Sequence, residues 1–245
     1  MNKVQEKAKK AGVDLTKLPR HIAVIMDGNG RFAQSKGFMR LWGHHQGYQT
    51  LKKVLLDAAN LGIDYMTVYG FSAENWRRPE EEVGGLMKLI EEASRRELDD
   101  HIKNNVKVRV IGRRHELPPS LQEAIQQMEE KTAANTGIGF TLAINYGGRA
   151  ELVDAVKTLL NQGTKPENID EEAIANALYA PEIPDPDLMI RTAGELRVSN
   201  FLMWQAAYAE MFVTPVTWPE FGPDELIEAV KQYQGRTRKF GGLVK

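Results

Sequence analysis

Cysteine is missing altogether from these 245 residues. Disulfides, thiolate zinc sites and cysteine nucleophiles are excluded together, and a reducing compartment is the natural setting. A surplus of charge is missing as well: 32 Lys and Arg stand against 33 Asp and Glu. No global field recruits nucleic acid or an acidic membrane surface, so an anionic ligand has to be gathered by a local cluster. Long apolar runs are missing too, none approaching the roughly 18 residues of a membrane span. The first twenty residues are polar and basic, without the apolar core of a signal peptide. The expectation is a cytoplasmic protein that binds no nucleic acid. Repeats, linkers and low-complexity tracts are also lacking, and a chain of this length with 42% hydrophobic residues is enough for one good core and short for two.

What is present alternates. Apolar, β-branched runs at 21–27, 65–72, 106–112, 139–146, 188–191 and 211–218 read as buried strands. After Pro79, acidic Glu80, Glu81 and Glu82 open a helical pattern that Val83, Leu86, Met87, Ile90, Leu98 and Ile102 carry to residue 102. Further helices are predicted over 47–60, 120–134, 150–161, 171–179, 200–209 and 224–234. Strand and helix in alternation predict a single α/β domain, with a mostly parallel sheet, helices on both faces and ligands at the carboxyl ends of the strands. Residues 1–17 are read as a polar segment ahead of a domain over 18–245. Pro166, Pro181, Pro184 and Pro186 make 163–187 the irregular stretch.

Three polar clusters follow three of these strands. The first, Asp27-Gly28-Asn29-Gly30-Arg31, has the outline of a phosphate cradle: glycines allow a tight turn that aims successive N–H groups at one anion, and Arg31 adds positive charge. Asp27 does not favour a bare phosphate, but a bridging Mg²⁺ joins a carboxylate to diphosphate oxygens. Gly28, Gly30 and Ala33 also satisfy the dinucleotide pattern GxGxxA. That reading asks for an acidic residue about 20 positions on, at the end of the next strand; here the next strand ends at Phe71-Ser72, which counts against it. The same residues also fit an ordinary Asp-Gly-Asn-Gly turn. The second cluster, 71–79, holds Ser72, Asn75, Trp76 and Arg78, with helix capping as its plainer reading. The third, 191–200, supplies Arg191, Arg197 and Ser199 and leads into the helix predicted over 200–209, a second anion site whose arginines could instead pair with Glu195. Adjacent His44 and His45 do not share a helix face, and Asp99-Asp100 reads as solvated helix surface.

Five ordered stretches carry a resemblance: HIAVIMDGNGR at 21–31, FSAENWRRP at 71–79, INYGGR at 144–149, RTAGELRVSNFLMWQAAYAE at 191–210 and RKFGG at 238–242. On them the chain resembles the bacterial undecaprenyl diphosphate synthases of the cis-prenyltransferase family, over nearly everything from Leu18 to Gly242. The resemblance implies a six-stranded parallel sheet beside an elongated hydrophobic tunnel, a homodimer, and transient membrane contact at the inner face for product release. It implies Mg²⁺-dependent Z-condensation of isopentenyl diphosphate onto an allylic diphosphate, expected to be farnesyl diphosphate, giving undecaprenyl diphosphate for a cell-wall carrier lipid. By the same resemblance Asp27 and Asn75 are catalytic, and Asp27 and Glu210 are associated with the metal. Gly28, Asn29, Gly30, Arg31, Phe32, Arg40 and His44 match the allylic-diphosphate side. Ser72, Ala73, Glu74, Trp76 and Arg78 belong to the substrate-placing loop, and Arg191, Arg197, Val198 and Ser199 match the isopentenyl-diphosphate side. The chain departs from the common pattern at Phe32, where tryptophan is usual, at His45-Gln46 and at Ala193. Gly70, Ile138 and Phe140 match tunnel-lining positions, and Phe140 is larger than expected there, which predicts a shorter tunnel and product. A shorter-chain Z-prenyl diphosphate synthase, an inert scaffold subunit and a dinucleotide-dependent oxidoreductase are the other readings.

Overall fold

The β-branched runs do form strands: β1 (His21–Ile25), β2 (Tyr65–Ser72), β3 (Lys107–Ile111), β4 (Gly139–Tyr146), β5 (Leu188–Arg191) and β6 (Glu210–Val213). The computed structural model describes residues 1–236, and the RKFGG stretch at 238–242 lies outside the described residues. The strands build one parallel sheet of order β3-β4-β2-β1-β5-β6. A parallel sheet is covered on both faces, and β1 shows it residue by residue. Ile22 and Val24 belong to the larger apolar core on one face, Ala23 and Ile25 to the smaller core on the other, because side chains alternate along a strand.

The helices are α1 (Lys3–Lys10), α2 (Asn29–Ser35), α3 (Arg40–Leu61), α4 (Glu80–Arg96), α5 (Leu98–Lys103), α6 (Pro119–Thr132), α7 (Gly148–Asn161), α8 (Glu171–Ala177) and α9 (Pro223–Gln234). Long α3 starts earlier than the predicted 47 and stops at Gly62, whose φ of 111° closes the helix in the left-handed region. α1 lies inside the polar stretch 1–17, yet Val4, Ala8 and Val13 are buried in the larger core. Its placement is secured by Asn2 Nδ2 donating to the Asn60 carbonyl at 2.7 Å and by Lys7 pairing with Asp224 at 2.7 Å.

Three predicted elements differ. The helix read as continuous to 102 is divided at Glu97 into α4 and α5, although Glu97 N still donates to the Ala93 carbonyl and His101 N to the Glu97 carbonyl; the Glu97 side chain is buried and bonded to Tyr48 and to Lys52 Nζ, the latter at 2.6 Å. The helix predicted over 200–209 does not form. Ser199, Asn200 and Leu202 take φ of 48°, 63° and 45°, conformations no right-handed helix contains, and Asn200 Oδ1 accepts from Arg149 N at 2.9 Å. The last strand ends at Val213, not 218, because the chain leaves the sheet before Pro215, which has no N–H to give a ladder. Residues 214–218 wrap back over the sheet end, with Ala193 N donating to the Val216 carbonyl at 2.8 Å and Trp218 N to the Asp27 carbonyl at 2.9 Å.

Register then decides where chemistry can occur. Ile25 of β1 pairs with Arg191 of β5, and Ser72 of β2 pairs with Tyr146 of β4. All three polar clusters therefore lie at the carboxyl end of one sheet, flanking central β1, where the chain turns to β2 on one side and to β5 on the other.

Candidate active site

Asp27 stands two residues beyond β1 and is fixed by both its backbone and its carboxylate. Its carbonyl accepts from Thr192 Oγ1 at 2.7 Å as well as from Trp218 N. Oδ1 accepts from Gly28 N at 2.7 Å, Oδ2 accepts from Arg191 at 2.9 Å, and Arg31 lies 3.6 Å away. Burial alone raises the pKa of this carboxyl, but the Arg191 bond, the Gly28 N–H and the charges of Arg191 and Arg31 prevail and hold it below the usual carboxylate range. Gly28 has φ of 97°, and a Cβ there would lie 2.8 Å from Ala193 Cβ and 2.9 Å from Thr217 Cβ. Glycine is required on both counts, since it alone turns the chain so that α2 starts at Asn29. The first-turn N–H groups of Asn29, Gly30 and Arg31 have no carbonyl partner within the helix, which leaves them to face an anion.

Around this cradle lie Arg40 and His44 from the start of α3 and Arg78 from the loop after β2, all lining one recess with Asp27 and Gly28–Arg31. His44 is mostly buried, which lowers its pKa, and the neighbouring charges of Arg78 and Arg40 act in the same direction. Near neutral pH it is a neutral hydrogen-bonding group. His45 is exposed. Phe32, on α2, stacks on Trp42 at 5.6 Å and is not among the residues lining the recess.

Arg191 is the buried centre of the other cluster, 3% exposed, and spans from Asp27 to Ser199 Oγ at 2.7 Å and to the Arg197 carbonyl. Arg197 pairs with Glu195 at 2.5 Å, so the plainer ion-pair reading describes Arg197, whereas Arg191 is committed to Asp27. With no helix at 200–209, the second cluster of cations sits on irregular backbone, not on a helix terminus. Val198 packs against the smaller core.

The loop 72–78 closes the third side. Asn75 Oδ1 accepts from Ser72 N at 3.2 Å, which leaves the Asn75 amide hydrogens for a ligand. Trp76 rests edge-on against Phe71 and donates from Nε1 to Asn145 Oδ1 at 2.7 Å, tying the loop to β4. Glu74 accepts from Asn200 at 2.7 Å, joining the second cluster to the third. Ala73 starts the 3-10 turn Ala73–Arg77 between them. Sequence reasoning missed Thr192, Asn145, Asn200 and Trp218 as supports, because each acts on a group more than fifty residues away.

Glu210 is not brought to Asp27. It pairs in register with Leu188, at the opposite end of the sheet from Arg191, and its carboxylate pairs with Arg236 at 2.7 Å. Within one chain it therefore does not join Asp27 at a metal. Among the described residues no group of three or more acidic or imidazole side chains is placed to hold a metal ion. A hard divalent ion at Asp27 fits nonetheless, since such ions take one or two carboxylates and complete their shell with water and phosphate oxygens.

These residues surround a polar cavity of about 620 Å³ lined by Asp27, Asn75, Arg78, Arg191, Arg197 and Ser199 among others. It shares Met26, Asn29, His44, Gly70 and Leu86 as walls with an apolar cavity between α3, α4 and β4, into which Leu51, Leu89, Ile90, Phe140 and Leu142 project. Ile138 is buried in the adjoining core. A polar, arginine-lined cavity thus adjoins an apolar one through shared walls. No helix of the described residues is long and apolar enough to cross a membrane.

Comparison with known proteins agrees with this geometry. Residues 25–241 match the profile of the family described as "Putative undecaprenyl diphosphate synthase". An isoprenyl transferase of Heliobacterium mobile is 45% identical over 97% of this chain and 93% of its own length. One from Fusobacterium nucleatum is 47% identical over 92% and 97%. Among solved structures, lavandulyl diphosphate synthase from Lavandula x intermedia, in complex with dimethylallyl diphosphate, superposes with a TM-score of 0.87 at 35% identity, covering 91% of this chain and 98% of that one. A "probable undecaprenyl diphosphate synthase" from Campylobacter jejuni does so at 0.78 and 32%, covering 92% and 99%.

Proposed function

The chain belongs to the undecaprenyl diphosphate synthase family of isoprenyl transferases and is a cis-prenyltransferase; from that premise we propose that it condenses isopentenyl diphosphate units onto farnesyl diphosphate to give undecaprenyl diphosphate. The observation that carries this reading is the Asp27–Arg191 pair at 2.9 Å, set between two separate groups of cations at the mouth of the apolar cavity. Two diphosphates need two such groups, and a growing prenyl chain needs the apolar one. The allylic diphosphate lies on the cradle of Gly28, Asn29, Gly30 and Arg31 with Arg40, His44 and Arg78, its tail directed along α3 and α4. The diphosphate of the second substrate lies on Arg191, Arg197 and Ser199.

Asp27 would hold Mg²⁺, which when bound would supply charge to stabilise the departing diphosphate. As the allylic carbon–oxygen bond breaks, its electron pair goes to the diphosphate oxygen; Arg31, Arg40 and the N–H groups of α2 are already aimed there and stabilise that charge more than the ground state. The double bond of isopentenyl diphosphate then attacks the allylic carbon, and a proton leaves the adjacent carbon. Asn75 presents amide hydrogens and is no base, so it orients the second substrate, and a diphosphate oxygen takes the proton. Fixing both diphosphates fixes the approach of the double bond, and with it Z geometry.

A homodimer is part of the proposal, supported by Val153, Val156 and Leu160, exposed along one side of α7 at 50%, 39% and 58%. Transient contact with a bilayer, for an apolar product, and a cytoplasmic location are parts of the same proposal. A second reading, a shorter Z-prenyl product, is favoured by Phe140 in the wall of the apolar cavity. One experiment tests both: labelled isopentenyl diphosphate with farnesyl diphosphate, with Mg²⁺ or chelator, and chromatography of the extracted lipid. A Mg²⁺-dependent ladder ending near eleven isoprene units supports the first reading, a shorter ladder the second, and no lipid from any starter refutes both.

A further inference from the structure

Glu82 stands in the first turn of α4, where a carboxylate ordinarily serves the helix dipole from the surface. Its side chain is instead only 10% exposed and faces the cradle. Oε2 accepts from Arg40 Nε at 3.0 Å, while Oε1 accepts from Arg78 at 3.1 Å and lies 3.4 Å from His44 Nε2. One carboxylate therefore joins the start of α3 to the loop after β2. Arg40 reaches it through Nε, so that contact engages neither terminal nitrogen of the guanidinium. Those nitrogens lie over Gly30, where a Cβ would be 2.9 Å from Arg40 Cζ and from one terminal nitrogen. Arg40 is thus held from behind by Glu82 and presented in front to the cradle, and Arg78 is brought beside it although like charges would drive two free arginines apart.

Resting on the prenyl-transfer reading, we propose that Glu82 is a positioning residue of the reaction: it preforms Arg40 and Arg78 as a clamp for the allylic diphosphate. The opposite role is physically distinct. A carboxylate that merely neutralised the two arginines would compete with the diphosphate, and its removal would tighten binding. The sign of the effect decides between them.

The full-length chain, Glu82→Gln, Glu82→Asp and Arg40→Lys are compared by titration with inorganic pyrophosphate, by kinetics with farnesyl and isopentenyl diphosphates, and by thermal melting. Glu82→Gln keeps the volume and loses the charge. It is expected to raise both the pyrophosphate Kd and the KM for the allylic substrate about tenfold or more, the scale of one charge-assisted hydrogen bond. The KM for isopentenyl diphosphate should change less than about twofold, and Glu82→Asp should recover part of the loss. Arg40→Lys keeps charge without the Nε contact and should move the same constants in the same direction, which preserves the test if Glu82→Gln does not fold. Tighter pyrophosphate binding by Glu82→Gln overturns the proposal, as does a lowered melting temperature with unchanged Kd and KM. If the parent chain forms no prenyl product the transfer reading fails, while pyrophosphate binding still decides the role of Glu82.

Discussion

Burial raises the pKa of Asp27, but Arg191, Gly28 N–H and Arg31 all stabilise the ionised form and hold the net shift downward. Asp27→Asn removes that charge and leaves buried Arg191 without its counter-ion. The initial rate of prenyl transfer is expected to fall about a hundredfold or more, and an unchanged rate would remove Asp27 from the mechanism. His21 shows the reverse balance. It is buried between the Pro184 carbonyl at 2.6 Å and Thr67 Oγ1 at 2.8 Å, and desolvation lowers its pKa to about 4. Below pH 6.5 the unfolded chain takes up a proton that folded His21 refuses, so stability falls as pH drops from 6.5 towards 4 and levels off below. The loss is at most roughly 3 kcal/mol, read from denaturant midpoints across that range, and His21→Gln should flatten the slope. At this scale the sequence was informative where charge stands at a strand end, as with Asp27, Arg31 and Arg191. It was silent on Glu82, whose dipole-serving position in α4 gives no sign that Arg40, from another helix, is its partner.

Elements were legible where local preference and burial agree. Strands β1 to β5 follow their β-branched runs closely, and α9 (Pro223–Gln234) the helix predicted over 224–234. The segment 200–209 was misread because Phe-Leu-Met-Trp-Gln-Ala-Ala favours a helix locally, while Asn200 is bonded to Glu74 and Arg149 from two other parts of the chain. The apolar spacing that runs on to Ile102 is carried by α4 and α5 in succession, with Glu97 between them turned inward to Lys52 and Tyr48. That inward carboxylate sits about 22 Å of helix farther along than Glu82, beside the apolar cavity that Phe140 also lines. Phe140→Leu enlarges this space, and product chromatography should show a longer terminal prenyl chain. Unchanged length would mean that Phe140 does not limit growth.

For the whole molecule, the parallel sheet and the place of the polar clusters at one end of it follow from alternating strands and helices, but no such pattern bears on the proposed homodimer. The exposed Val153, Val156 and Leu160 lie at helical spacing on α7, and a self-complementary apolar face is the usual basis of a two-fold dimer. Val156→Glu with Leu160→Glu should sediment as a monomer where the parent chain sediments as a dimer; identical sedimentation would place the interface elsewhere. The sheet order has a further consequence, for the moment of synthesis. β1 leaves the ribosome early, yet its place is between β2 and β5, and the Asp27 carbonyl is pinned by Thr192 and Trp218. Such long-range closure is late in folding. On the nascent chain, Asp27 therefore waits for these two bonds until residue 218 has been translated.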